Sequence, residues 1–150
     1  MSAEQEIMEA QCRRWIRLFS ELDQDGVPTL EQLSAVAVED VRFSDPFNDV
    51  RGLQAMQRVL EHTRSHVSDV RFSVKDTAWS GDTAYVRWSM TGRVRVIGEW
   101  CVEGVSEIRF ADDGRVCCHI DHWDAASQFF GRLPVIGWLL RQVAAPARVS

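Results

Sequence analysis

The chain lacks the long apolar run that a membrane-spanning helix needs. No stretch of its 150 residues approaches the roughly 20 consecutive apolar residues of such a helix. Its first residues, Met-Ser-Ala-Glu-Gln-Glu, are acidic and have no apolar core, so we expect no signal peptide. A hydrophobic fraction of 45% and a charged fraction of 26% are typical of a soluble globular protein. We therefore expect a cytoplasmic protein without membrane insertion.

Clustered positive charge and paired cysteines are also missing. The net charge is −5 and the arginines are scattered between acidic residues, which argues against a nucleic-acid partner. The four cysteines include no C-x-x-C pair for zinc or redox chemistry. Adjacent Cys117 and Cys118 would point to opposite faces of a strand and are poor disulfide partners. Free, buried thiols are favoured over a cysteine nucleophile.

Several enzyme signatures are absent as well. The sequence contains no G-x-S-x-G, no P-loop and no G-x-G-x-x-G, so a hydrolase elbow, a nucleotide site and a Rossmann fold have no support. It shows no internal repeat and no low-complexity segment. A chain of this length is expected to form one domain, residues 1–150, around one core.

The first part of the sequence has helical periodicity. Apolar residues three and four apart predict a first helix with one apolar stripe, formed by Met8, Cys12, Trp15, Phe19 and Leu22. Thr29 and Gln32 form a capping-box pattern that opens a short second helix. A third helix carries Leu53, Met56 and Leu60 and ends near His66.

Near Val67 the period changes to two, which predicts long strands separated by turns at 80–82, 97–98 and 111–114. A sheet that begins near Val36 and continues as an antiparallel meander after the helices is an α+β pattern. Such a sheet, strongly curved over the helices, would enclose a pocket. The chain closes with an apolar helical segment, Phe129 to Val143, which Pro134 and Gly137 should shorten or bend.

The segment 43–52 contains the first candidate site residue. Alternation of Val41 and Phe43 delivers Asp45 to the end of a strand, where Pro46 keeps it extended. If the two apolar residues face the core, Asp45 faces it too, and a carboxylate there is costly unless something uses it. Local sequence favours a simpler role, in which Asp45 caps the turn through backbone N–H groups.

A second polar cluster lies at 118–124. Strict alternation gives one face with Val116, Cys118, Ile120 and His122, and another with Cys117, His119, Asp121 and Trp123. The first face is more apolar and is the expected core face, whereas the second suits solvent or a polar-lined pocket. His119 and Asp121 can share a hydrogen bond that orients the imidazole. Because the two histidines fall on opposite faces, we expect no metal site. Trp88 and Trp123 are predicted to line a cavity.

These features together resemble the ketosteroid isomerase-related branch of the nuclear transport factor 2-like superfamily, which includes SnoaL-like proteins. The resemblance covers nearly the whole chain: the Trp-bearing first helix, the short second helix, Phe-Ser-Asp-Pro at 43–46, Val-Arg-Gly-Leu at 50–53 and the meander. It implies a cone-shaped curved antiparallel sheet wrapped around N-terminal helices, with a pocket at the wide end that the C-terminal segment closes. It also implies a homodimer through the convex sheet face, which carries Tyr85, Cys101 and Val105.

The resemblance further implies site roles. Asp45 matches the general base that removes a proton next to a carbonyl, which overrides the local preference for a cap. Trp15 stands where the isomerases have an oxyanion-stabilising Tyr, and Ser106 about where they have a protonated Asp. Without those donors, steroid isomerisation is not expected. His119, Asp121 and Trp123 are placed on the pocket side of the last strand.

Three functions stay open on this basis. The first is a cofactor-independent isomerase, cyclase or hydratase for a small apolar carbonyl compound, with Asp45 as base and His119 with Asp121 as acid or stabiliser. The second is a non-catalytic ligand-binding or dimerisation module with Trp88, Met90 and Trp123 as apolar lining. The third, a C-terminal helix docking on a membrane or partner, is disfavoured by its short length, its Pro-Gly interruption and the acidic domain.

Overall fold

The computed structural model describes residues 1–149, which form helices and one six-stranded sheet. The helices are α1 Ala3–Ser20, α2 Leu22–Asp25, α3 Leu30–Ser34, α4 Leu53–His66, α5 Ala125–Gln128 and α6 Pro134–Ala144. Short 3-10 helices span Phe130–Arg132 and Ala145–Ala147. The strands are β1 Ala37–Ser44, β2 Asp49–Arg51, β3 Val67–Ser80, β4 Thr83–Val94, β5 Gly98–Phe110 and β6 Val116–His122. The predicted α+β fold, a curved sheet with N-terminal helices, is confirmed.

Capping explains where the early helices begin. The Thr29 hydroxyl accepts from the Gln32 backbone N–H at 3.1 Å, and the Gln32 side chain accepts from the Thr29 N–H at 2.9 Å, so the predicted capping box is confirmed. The structure adds one helix to the three predicted before β3. Residues 22–25 form the separate one-turn α2, which ends at Gly26 with a φ of 77°.

The sheet has the order β2-β1-β6-β5-β4-β3. All neighbouring strands are antiparallel except β1 and β6, which are parallel. The expected sheet was antiparallel throughout, so this one pair differs from the prediction. The parallel pair arises because α4 carries the chain from the β1–β2 hairpin to the far edge at β3. The meander then returns across the sheet, and β6 arrives beside β1 in the same direction. Residue patterning reveals strands but not which strands become neighbours.

A β-bulge in β6 changes which of its residues face inward. The β5 partner of Val116 is Phe110 and that of Cys118 is Arg109, so Cys117 is an extra residue in β6. As a result both Val116 and His119 are buried, although strict alternation puts them on opposite faces. The expected core face was wrong for His122, which is exposed, and for Ile120, which is only half-buried.

The core lies between the helices and the inner face of the sheet. Its fully buried side chains include Trp15, Leu33, Met56 and Leu60 from the helices and Val41, Val86, Val102, Ile108 and Val116 from the strands. Among the described residues, no helix has the length and hydrophobicity needed to cross a membrane.

The C-terminal segment differs from the single apolar helix expected. Asp124 caps α5, a 3-10 turn follows, and Pro134 occupies the first turn of α6. Phe129 and Phe130 line the cavity described below, but no residue of α6 does. This segment therefore contributes to the lining through its first residues, and closure of the pocket by the rest of it stays a prediction.

Candidate functional site

A cavity of about 610 Å³ lies between the inner face of the sheet and helices α1 and α4. Its walls are largely aromatic, with Phe43, Phe72, Trp88, Trp100, Trp123 and Phe129 among the lining residues. All eight residues singled out from the sequence also line it: Trp15, Asp45, Trp88, Met90, Ser106, His119, Asp121 and Trp123. The fold thus brings the two sequence-distant polar groups, at 45 and at 119–121, into one apolar space. Their functional roles stay predictions.

Hydrogen bonds join a polar network of five side chains: Trp15, His119, Asp121, Ser106 and Trp88. One arm of the network runs from Trp15 in α1 to Asp121 in β6 and fixes the tautomer of His119. The indole Nε1–H of Trp15 donates to His119 Nδ1 at 2.8 Å. Because an indole can only donate, Nδ1 must accept, and in the neutral ring the proton is on Nε2. That Nε2–H donates to Asp121 Oδ1 at 2.7 Å. Both ring nitrogens of buried His119 are therefore occupied by hydrogen bonds within the protein.

The other arm runs across β4, β5 and β6. The Trp88 Nε1–H donates to Ser106 Oγ at 2.8 Å, and the Ser106 hydroxyl donates to Asp121 Oδ1 at 2.5 Å. Strand register makes this possible, since Ser106 is the direct partner of Asp121 in the β5–β6 ladder. Asp121 Oδ1 therefore accepts two hydrogen bonds, one from each arm.

The second oxygen of Asp121 has a different environment. Among the described residues, Oδ2 has no hydrogen-bond donor, and the side chain is 18% exposed. Within residues 1–149, every fully buried side-chain N or O atom has a hydrogen-bond partner. Because Oδ2 has none, this oxygen is not fully buried. It belongs to a residue on the cavity lining. Asp121 thus lines the cavity and has one carboxylate oxygen that accepts no hydrogen bond from the described residues.

Asp45 makes the turn-capping bonds that its local sequence favours. Its Oδ1 accepts from the backbone N–H groups of Phe47 and Asn48, both at 2.7 Å. The Asn48 side-chain amide lies 3.1 Å from Oδ1 and 3.2 Å from Oδ2. Asp45 is half-buried on the cavity lining, but most of its hydrogen-bonding capacity is used within the turn at 45–48.

Sequence reasoning missed Trp100 and Phe47. Trp100 is 6% exposed, lines the cavity and donates from Nε1 to the Gln128 carbonyl at 2.6 Å. Its position two residues from Val102 on the inward face of β5 was a usable signal. Phe47 packs edge-on against Trp123 at 5.5 Å between centroids, and no strand pattern marks it because it lies in the turn.

Two buried cysteines and the possible metal ligands are further candidates for reactive groups. Burial raises the pKa of Cys12 to about 11, and burial also raises the pKa of Cys118, which disfavours thiolate formation. Within residues 1–149, no group of three or more His, Cys, Asp or Glu side chains is arranged to hold a metal ion.

Residues 12–119 match the SnoaL-like domain family. The chain belongs to this family. The matched residues include most of the region from α1 to β6 that forms the cavity. No curated protein matches the sequence.

Solved structures with the same fold share little sequence with this SnoaL-like chain. An NTF2-like protein of unknown function from Burkholderia pseudomallei has 20% identity and a TM-score of 0.69, over 85% of this chain and 95% of its own. An LEH-like epoxide hydrolase from M. tuberculosis has 15% identity and a TM-score of 0.61, over 94% and 96%. A hypothetical protein with a ketosteroid isomerase-like fold from Catenulispora acidiphila, in complex with trimethylamine, has 12% identity and a TM-score of 0.66, over 82% and 95%. These similarities show the fold alone.

Proposed function

We propose that this chain binds a small, largely apolar molecule in its cavity and acts on it by cofactor-independent base chemistry, with Asp121 as the base. The observation that carries the proposal is that Asp121 lines an aromatic cavity and that its Oδ2 accepts no hydrogen bond from the described residues. A base must reach the proton it removes, and this oxygen is free to do so. The size and apolar walls of the cavity suit a compact, mainly hydrocarbon ligand.

The surrounding residues support this role by fixing the carboxylate. Ser106 and His119 both donate to Oδ1, which holds the group in one rotamer and leaves Oδ2 directed away from them. Trp15 and Trp88 in turn hold His119 and Ser106. In this proposal Asp121 takes the role that the family resemblance gave to Asp45, and Asp45 shapes the neighbouring turn.

The hydrogen bonds of the polar network favour hydration of the ligand over its isomerisation or cyclisation. An enolate formed from a carbonyl compound needs a donor near its oxygen. Trp15, Trp88, Ser106 and His119 all direct their N–H or O–H groups within the network. Hydration of an epoxide forms no enolate: Asp121 takes a proton from water, the water oxygen bonds to a ring carbon as the ring C–O bond breaks, and the resulting alkoxide takes a proton from Asp121 or from solvent. The similar fold of the M. tuberculosis LEH-like epoxide hydrolase is consistent with a reaction that consumes water.

Non-catalytic binding is the second candidate. The same hydrogen bonds favour it, because a network whose donors all bond within the protein gives a rigid lining to a pocket that only binds. The Catenulispora acidiphila protein, solved with trimethylamine, shows that a related fold can hold a small organic molecule.

The substitution Asp121→Asn tests the proposal. The amide keeps the shape and an acceptor oxygen for Ser106 and His119 but loses the basic group. Small apolar epoxides are incubated with the protein in isotopically labelled water, and hydrated products are measured by mass spectrometry. We expect turnover to fall by about 10²–10⁴-fold in the variant, the usual contribution of a positioned base. Ligand affinity, followed by tryptophan fluorescence, should change little.

The matched control is Asp112→Asn, at an exposed turn position outside the cavity, which should leave turnover unchanged. Undiminished turnover in Asp121→Asn would rule out Asp121 as the base. Binding of the same compounds without turnover by the unmodified protein would favour the passive pocket.

A further inference from the structure

Helix α6 turns its apolar face to solvent. Val135, Ile136, Leu139 and Val143 are 71%, 44%, 50% and 79% exposed, respectively. Their spacing places all four on one side of the helix. Exposed aliphatic side chains are common singly, but a continuous row on one helix face indicates an interaction surface.

Another face of α6 packs against the preceding 3-10 helix, Phe130–Arg132. Gly137 is buried, and a Cβ atom at this position would collide with the Gly131 carbonyl oxygen. Arg141 Nη1 also donates to the Gly131 oxygen at 3.4 Å. In α6 only Gly137 is buried, whereas the four aliphatic residues of the row face solvent, the reverse of a helix that packs its apolar face on a core.

We infer that α6 is a docking helix for a lipid bilayer that contains anionic lipids. Residues 125–150 include Arg132, Arg141 and Arg148 but no Asp or Glu, although the chain as a whole has a net charge of −5. Trp138 is 55% exposed beside the apolar row, and indole rings favour the interface between lipid and water. An apolar helix face with arginines and a tryptophan is the chemistry of a helix that lies in the headgroup region.

A second copy of the chain fits this surface less well. A stable protein interface buries about 800 Å² on each partner. Helix α6 has 11 residues, which gives a length of only about 16 Å. A bilayer imposes no such minimum area and complements the positive charge.

This docking would bring the cavity close to the membrane. Phe130 lines the cavity, is 37% exposed and belongs to the 3-10 helix that packs against α6. Phe130 thus connects the cavity lining to the segment that carries the docking helix.

Vesicle sedimentation of the full chain tests the inference. We expect binding to vesicles of phosphatidylglycerol mixed with phosphatidylcholine to be about tenfold stronger than to phosphatidylcholine alone, and to weaken with salt. The double substitution Val135→Asp with Leu139→Asp should abolish binding without unfolding the protein, because both side chains are exposed. The matched control is Ile7→Asp, at an exposed aliphatic position of α1, which should bind like the unmodified protein.

Two further measurements separate the possible outcomes. A blue shift of tryptophan emission on vesicle binding should be reduced in Trp138→Phe while sedimentation persists. Light scattering reports whether the double variant changes the oligomeric state. Failure of the unmodified protein to bind either vesicle, or unchanged binding by the double variant, would overturn the inference. Conversion of a dimer to a monomer by the double variant would overturn it in favour of a second copy.

Discussion

At the scale of single residues, two neighbouring carboxylates, one just after β1 and one in β6, have different partners. Phe43 and His119 are direct partners in the parallel β1–β6 pair, and Asp45 and Asp121 each lie two residues further along. Backbone N–H groups of the 45–48 turn occupy Asp45, whereas side chains bind only one oxygen of Asp121. Turn chemistry therefore decides which of the two remains available to a ligand.

The substitution Asp45→Ala should separate a capping role from a catalytic role. It removes the acceptor for two backbone N–H groups, so we expect the free energy of unfolding to fall by about 1–2 kcal/mol, as for other lost caps. Urea denaturation measures this loss. The more conservative Asp45→Asn keeps an acceptor oxygen and should cost less, with turnover or ligand affinity close to that of the unmodified protein. Loss of turnover in Asp45→Asn with normal stability would return the base role to Asp45.

From the sequence, residues that share the inner face of the sheet could be predicted, but most of their hydrogen-bond partners could not. Period two placed Asp45 on the face of Val41 and Phe43, and all three lie on the inner side. The direction of each hydrogen bond depends on which neighbour arrives across the sheet. The Trp15–His119 bond joins residues 104 positions apart, so no local pattern could reveal it.

At the scale of elements, the packing of β5 against β4 depends on a missing side chain. Gly104 is the direct partner of Trp88, and a Cβ atom at this position would lie 2.7 Å from Trp88 Cζ2 and 2.9 Å from the His122 carbonyl oxygen. Real Cβ contacts are longer than this, so any larger residue must displace the indole. The position of Trp88, and with it the bond to Ser106, thus depends on this glycine.

The substitution Gly104→Ala should therefore move Trp88 and reduce stability. We expect a loss of about 1–3 kcal/mol, typical of overpacking, together with a changed tryptophan emission spectrum because the Trp88–Ser106 bond is strained. Thr91→Ala, at an exposed position of β4, is the control and should change stability by less than about 0.5 kcal/mol. Unchanged stability and emission in Gly104→Ala would show that the sheet adjusts around the added methyl group.

Most elements follow from periodicity, and the exceptions have physical causes. Apolar spacing predicted α1 and α4, and alternation predicted the long strands. The bulge at Cys117 was not predicted because an extra residue in a strand leaves no mark in the apolar pattern. The orientation of α6 was not predicted either, since an apolar stripe indicates a surface that needs covering but not what covers it.

At the scale of the whole molecule, we propose that residues 1–150 act as one domain. The early helices contribute to the same core as the strands, and Trp100 joins β5 to the C-terminal segment through the Gln128 carbonyl. The two proposed interaction surfaces are the outer face of the sheet, for a second copy, and the apolar face of α6, for a bilayer. They are distinct, so variants at each can be studied separately.

We also propose a homodimer through the outer face of the sheet. Tyr85 is 40% exposed there, Cys101 is exposed and Val105 is half-buried. Light scattering should give twice the mass of the chain at protein concentrations of about tens of micromolar, a range in which weak association is detectable. Tyr85→Glu should shift the protein to a monomer, because the added carboxylate would face its own copy across the two-fold axis. Val135→Asp, on α6, should leave the dimer intact. A monomer at these concentrations, or a dimer insensitive to Tyr85→Glu, would exclude this face as the interface.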